Sequence, residues 1–129
     1  MAKDLKFYSC SDKDFIIEVV VPEEGCQVSC CGEEMKLIEP NTTDAAGEKH
    51  VPVIEVSGNK VVVKVGSVPH PMEEKHHISF IYLVTEKTVQ RVDLPHDGKP
   101  EAEFVLAEDD KAICAYEYCN LHGLWKAEA

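Results

Sequence analysis

The chain has 129 residues, enough for one ordinary domain or one domain with a small appendage, and its apolar and charged fractions are those of a globular protein. A net charge of −11 with no basic cluster excludes a nucleic-acid-binding face and would repel an anionic substrate at long range. Met1 to Lys6 is charged and no apolar segment follows it, and the longest apolar stretch, Phe15 to Val21, is interrupted by Glu18. The expectation is therefore a soluble cytoplasmic protein with no membrane span.

In chain order, strand signals dominate. Phe15–Val21 is rich in β-branched residues and stops at Pro22-Glu23-Glu24-Gly25. Residues 38–46 read as a linker, with a short helical stretch expected over Thr43–Glu48. Val51–Val56, Ser57-Gly58-Asn59 and Lys60–Val65 form a hairpin pattern. Ile78–Val84 is apolar on both faces, as in a central strand, and Lys87–Leu94 alternates up to the turn Pro95-His96-Asp97-Gly98. Ala102–Leu106 and Ala112–Tyr118 complete the set, the latter taken as the last strand. The fold expected is all-β: an immunoglobulin-like β-sandwich over residues 38–129, preceded by a small Cys-containing β module over residues 1–37.

Six cysteines in a chain with no secretory signal read as metal ligands or redox groups before disulfides. Cys10, Cys26, Cys30 and Cys31 lie in the first quarter, while His50, His70, His76 and His77 share a 28-residue window in the middle. Near the end comes Cys119-Asn120-Leu121-His122-Gly123, a Cys-x-x-His spacing whose two side chains can converge across one tight turn. Each residue alone is a weak signal, since a single strand-end histidine is usually a polar edge and a single cysteine is usually packing. Zinc would take four donors in a tetrahedron. Five donors, His50, His70, His76, His122 and Cys119, instead suit iron in a square of nitrogens with sulfur on the axis. His77, in a strand, would point away from His76, and His96 sits in an exposed turn. Cys114, Tyr116 and Trp125 read as packing residues, with an aromatic near the site able to shield the thiolate.

The strings Glu48-Lys49-His50-Val51-Pro52-Val53, Val63-Lys64-Val65-Gly66-Ser67-Val68, His70-Pro71-Met72-Glu73-Glu74-Lys75-His76 and Cys119-Asn120-Leu121-His122-Gly123, with Asn41-Thr42 and Asp44-Ala45-Ala46 before them, resemble the desulfoferrodoxin/neelaredoxin superoxide reductases. The resemblance runs from about residue 30 to the C-terminus. It implies one mononuclear iron with His50, His70, His76 and His122 as equatorial ligands, Cys119 as the axial thiolate, and an open sixth position. There superoxide would be reduced to hydrogen peroxide with electrons from a rubredoxin-like donor. Lys49 would attract the anion locally and help deliver a proton, and Glu48 would correspond to the family's glutamate that fills the sixth position in the resting ferric form. Relatives of this kind form homodimers or homotetramers.

Two-iron members carry a second, four-thiolate site in an N-terminal module, and here the pattern departs. The cysteine expected three residues after Cys10 is replaced by Lys13. Either the module is a metal-free relic, or Cys26 joins Cys10, Cys30 and Cys31 to hold iron or zinc. The relic is preferred, because only the adjacent Cys30–Cys31 pair is held in one tight turn. An electron carrier or metal store built on the same iron site is the competing function, with a zinc-clipped structural sandwich after it. An exchangeable position and Lys49 both favour the enzyme.

Overall fold

A computed structural model describes residues 4–10, 14–43, 45 and 47–129. It falls into two compact units, one ending at Glu39 and the other running from Pro40 to Ala129. Lys13, Asp44 and Ala46, on which parts of the sequence reading rest, lie outside the described residues. No helix is long and apolar enough to cross a membrane.

The N-terminal unit is built from very short strands: β1 (Phe7–Ser9), β2 (Ile16–Glu18), β3 (Ser29–Cys30), β4 (Glu33–Glu34) and β5 (Lys36–Leu37). β1 is central in an antiparallel sheet ordered β2-β1-β5, and β3 and β4 form a separate hairpin. The strand expected over Phe15–Val21 shrinks to Ile16–Glu18, and Val20 and Val21 are exposed. The reason is the partner: β1 is only three residues long, and β propensity without a ladder to join leaves backbone groups to water. Leu5, Phe7, Cys10 and Met35 are buried in this unit.

The C-terminal unit opens with α1 (Gly47–His50), one helical turn in place of the stretch expected over Thr43–Glu48. Seven strands follow: β6 (Pro52–Ser57), β7 (Lys60–Val65), β8 (Ile78–Thr85), β9 (Val89–Asp93), β10 (Glu101–Val105), β11 (Ala112–Cys119) and β12 (Gly123–Glu128). They make a three-stranded sheet, β10-β7-β6, and a four-stranded sheet, β12-β11-β8-β9, with antiparallel pairing throughout. This is an all-β sandwich with the three-plus-four division of immunoglobulin-like folds. The β6–β7 hairpin turns at Gly58, whose φ of +61° suits a two-residue turn that L side chains rarely adopt.

The alternation of β7 explains the core. Val61, Val63 and Val65 point inward with Ile81 and Leu83 of β8, Ala102 and Phe104 of β10, and Ala115 and Cys119 of β11. Each valine, isoleucine, leucine or phenylalanine among them, taken from water, contributes roughly 1.5–3 kcal/mol before entropy is charged against it. A bulge interrupts the start of β8. Tyr118 pairs with Phe80, but Cys119 pairs with Ile78, so Ser79 is skipped. That extra residue brings Ile78 to the same inner face as Ile81 and aims the preceding segment, which carries His76, toward the end of β11.

β11 is not the last strand. Leu-Trp-Lys-Ala-Glu lacks a β-branched run and carries helix-forming residues, so its propensity hides β12, which exists because it pairs with β11 from Cys119↔Gly123 to Cys114↔Glu128. Asn41 secures the far side of β12: its side-chain amide donates to Lys126 O (3.0 Å) while its Oδ1 accepts from Lys126 N (2.8 Å).

Candidate metal centre

Five side chains converge at one end of the sandwich: His50, His70, His76, His122 and Cys119. His50 ends α1, His70 follows the loop after β7, His76 lies just before β8, and Cys119 and His122 flank the β11–β12 turn. Their donor atoms all lie within 4.8 Å of one another. The four rings close a cycle, His50–His70–His76–His122, with neighbouring centroids 4.6–5.1 Å apart and neighbouring planes inclined by 74–84°. Four rings edge-on around a common point make a square of nitrogens. Cys119 Sγ lies 3.4 Å from His70 Nε2 and 3.8 Å from His122 Nδ1, across the diagonal, which puts the sulfur over the square.

The donor geometry fits a metal ion. His50 Nε2 is 3.2 Å from His70 Nε2 and 3.1 Å from His122 Nδ1. Metal–nitrogen bonds of about 2.1 Å at right angles would set neighbouring nitrogens about 3.0 Å apart. His76 Nε2 is buried and has no hydrogen-bond partner, a costly condition unless a cation sits in front of it. His70 Nδ1 is 2.7 Å from Pro71 O, so Nδ1 carries the proton and Nε2 presents a lone pair, the arrangement in which ligating histidines are usually held.

Burial favours the neutral form of His70 and His76. His70, 3% exposed, has its pKa pushed down to about 4, chiefly by burial and further by His50, His76 and His122. His76 is lowered for the same reasons. Neutral imidazoles are what a metal requires. Cys119 is fully buried on the core face.

Local backbone fixes these directions. The turn of α1 is tied to the loop after β7 by Val68 N→Glu48 O (3.0 Å), Ser67 Oγ→Glu48 O (3.4 Å) and Gly66 N→Val51 O (3.2 Å). Gly66, at φ +79°, allows the approach: a Cβ there would stand 2.5 Å from Glu48 O and 2.8 Å from Lys49 Cα. The backbone of Glu48 and Lys49 is thus held while both residues remain exposed beside His50.

Two residues were not named among the candidate site residues. Trp125 stacks on His50 (centroids 5.0 Å apart, planes at 22°) and donates Nε1–H to His122 O at 3.1 Å, touching two of the five donor residues. Glu117, two residues before Cys119 and fully buried, has neither carboxyl oxygen hydrogen-bonded, and burial drives its pKa well up. Burial thus favours its neutral form. Alternation from Cys119 puts it on the inner face, a signal available in the sequence. Trp125 needed β12, which was not.

His77 stays outside the cluster, but not because of strand alternation. Residues 73–76 form a turn bridged by Glu73 and His76, and His77 Nδ1 donates to Glu73 O and Glu74 O (3.0 and 3.1 Å). Cys114 is buried and His96 exposed. In the N-terminal unit, Cys30 Sγ and Cys31 Sγ are 3.7 Å apart, Cys10 Sγ is 4.0 Å from Cys30 O, and Cys26 is exposed. Among the described residues one group of three or more His, Cys or carboxylate donors reaches metal-holding proximity.

Comparison with known proteins shows the family. The desulfoferrodoxin family model matches residues 42–128. The chain is 49% identical over 129 residues to a desulfoferrodoxin of Nitratidesulfovibrio vulgaris, covering 100% of both chains. It is 48% identical over 127 residues to a desulfoferrodoxin homolog of Archaeoglobus fulgidus, covering 98% of this chain and 99% of the relative. The crystal structure of the superoxide reductase from Treponema pallidum superposes with a TM-score of 0.83 at 44% identity, over 98% of this chain and 100% of that one. With the family pattern spanning the whole sandwich and relatives matching both units, this chain belongs to the desulfoferrodoxin family.

Proposed function

We propose that the chain is a superoxide reductase in which His50, His70, His76, His122 and Cys119 would together hold one mononuclear iron. The observation that carries this reading is the closed cycle of four imidazoles with one buried sulfur across its diagonal. A tetrahedral zinc clip has no use for the fifth donor. Bound there, iron would supply one-electron redox chemistry, tuned by thiolate donation, and a place for a small anion to bind.

The chain's own residues do the rest. The His70 Nδ1–H, donated to Pro71 O, keeps Nε2 a lone-pair donor, and burial keeps His70 unprotonated at neutral pH. Trp125 packs against His50 and resists its rotation. Full burial of Cys119 shields the thiolate from water and oxidants. Lys49 Nζ, exposed beside His50, supplies the local positive charge that a chain of net charge −11 needs to attract superoxide, and it can hold a proton for the departing product. Glu48, its neighbour, is the side chain that would cover the sixth position at rest. One electron and two protons convert superoxide to hydrogen peroxide, the electron coming from a rubredoxin-like donor.

The N-terminal unit, residues 1–37 in this reading, is a degenerate four-thiolate module without metal, and residues 38–129 are the catalytic domain of a cytoplasmic homodimer or homotetramer. The exposure of Cys26, and the fact that the donor group at metal-holding proximity among the described residues is the one in the other unit, support the first point. Metal analysis with visible spectroscopy tests the whole reading. One iron per chain, nearly colourless when reduced and blue when oxidised through a thiolate-to-iron band, together with superoxide consumption without dioxygen release, is expected. Zinc alone, or iron with no band that Cys119→Ser abolishes, would overturn it.

A further inference from the structure

His76 is held differently from the other donors. His50 ends a helical turn pinned by the 66–68 loop, His70 is fixed through its own Nδ1, and the carbonyl of His122 is held by Trp125. His76 instead ends a four-residue turn closed by one bridge, Glu73 N→His76 O (3.0 Å) and His76 N→Glu73 O (3.1 Å), and braced from outside by His77 Nδ1 on Glu73 O and Glu74 O. The two residues between, Glu74 and Lys75, are exposed, and His76 Nε2 is a buried atom with no hydrogen-bond partner. Nothing within that turn aims the ring.

The residue after Cys119 does. Asn120 Nδ2 donates to Lys75 O (3.0 Å), Asn120 Oδ1 accepts from His77 N (2.9 Å), and Asn120 N donates to His77 O (3.2 Å). These three bonds bracket His76 on both sides. We infer that Asn120 is a positioning residue that clamps the His76 turn to the Cys119–His122 loop and so sets the imidazole against the other four donors. This role rests on the metal-centre reading. The chemistry requires an amide: one side chain must donate to a carbonyl and accept from an N–H at the same point. Ionised aspartate cannot donate, an apolar residue does neither, and glutamine carries its amide one methylene farther out. The side-chain orientation is fixed by its partners, since the reverse assignment would put two donors and two acceptors face to face.

The test uses the full chain loaded with Co²⁺, whose d–d absorption strengthens as coordination number falls. Wild type, Asn120→Ala, Asn120→Asp and His76→Ala are compared by visible spectrum and by the rate of Co²⁺ release to excess chelator. Both Asn120 variants are expected to release the ion about 10- to 100-fold faster, the usual loss when a group supporting a metal ligand is removed. Their spectra are expected to move toward that of His76→Ala. Should Asn120→Ala fail to fold, the near-isosteric Asn120→Asp carries both readouts. Wild-type spectra and release rates in the variants would overturn the inference. So would faster release with an unchanged spectrum, which marks general loosening and not a lost imidazole. A wild-type chain that takes up no Co²⁺ would overturn the metal-centre reading along with it, a result distinct from wild-type binding that Asn120 does not influence.

Discussion

Gly66→Ala separates two physical costs that glycine normally hides together. The residue has φ +79°, and a left-handed backbone costs an L side chain roughly 1–2 kcal/mol. A Cβ there would also stand 2.5 Å from Glu48 O and 2.7 Å from Lys49 C, both backbone atoms of the turn that carries His50. Relieving that overlap means moving α1, a further cost of about 1–3 kcal/mol by the standard of overpacked cores. The total, about 2–5 kcal/mol, is a large share of the stability of a small protein. Gly58→Ala is the internal control, since Gly58 has φ +61° but nothing within 4 Å of its would-be Cβ. It should lose only the backbone contribution of about 1–2 kcal/mol. Urea unfolding of the metal-free chains measures both losses, and iron retention measures whether His50 has moved. Gly66→Ala should be the less stable and should hold iron poorly, while Gly58→Ala should hold it normally. Equal unfolding midpoints, or normal iron retention in Gly66→Ala, would refute the idea that this close approach positions the centre.

Three more outcomes are expected at the site and in the core beside it. Trp125→Phe keeps an aromatic ring over His50 but deletes the N–H bonded to His122 O, so a loss of about 1 kcal/mol with modestly faster metal release is expected; Trp125→Ala should lose about 3–5 kcal/mol, and calorimetry distinguishes the two. His70, with its pKa lowered to about 4, refuses a proton that the unfolded chain accepts near 6.5. Stability of the metal-free protein should therefore fall as pH drops from about 6.5 to about 4, with a shallower fall in His70→Gln, read as urea midpoints across that range. Glu117 has the opposite sign: its raised pKa means the unfolded chain ionises first as pH rises above the ordinary carboxyl range. Glu117→Gln should then melt above the wild type at pH 8, with the gap closing toward pH 4; a gap that does not change with pH would show that the buried carboxyl is not held neutral.

Much of this protein was legible from residues alone, because the signals are local. The β6–β7 hairpin follows from two valine-rich runs around Gly58, and β8 from an apolar run too short for a helix. The five donors were nameable because His-Pro and Cys-x-x-His are short-range patterns and the family's strings occur in order. What stayed hidden is non-local. Strand β12 has little intrinsic β character and exists through its pairing with β11, so the stacking of Trp125 on His50 could not be foreseen. The bulge at Ser79 is a count of residues against a partner strand, and it decides which way the chain enters from His76. The hydrogen bonds of Asn120 join positions 43 and 45 residues apart, and Glu117 became conspicuous only when no partner met it in the core. By itself the sequence determined which groups can bind a metal, since donor chemistry belongs to the side chain. Only the tertiary structure decided that four nitrogens form a square with a sulfur above it, because that arrangement is set by the packing of two sheets and the loops that close one end of them.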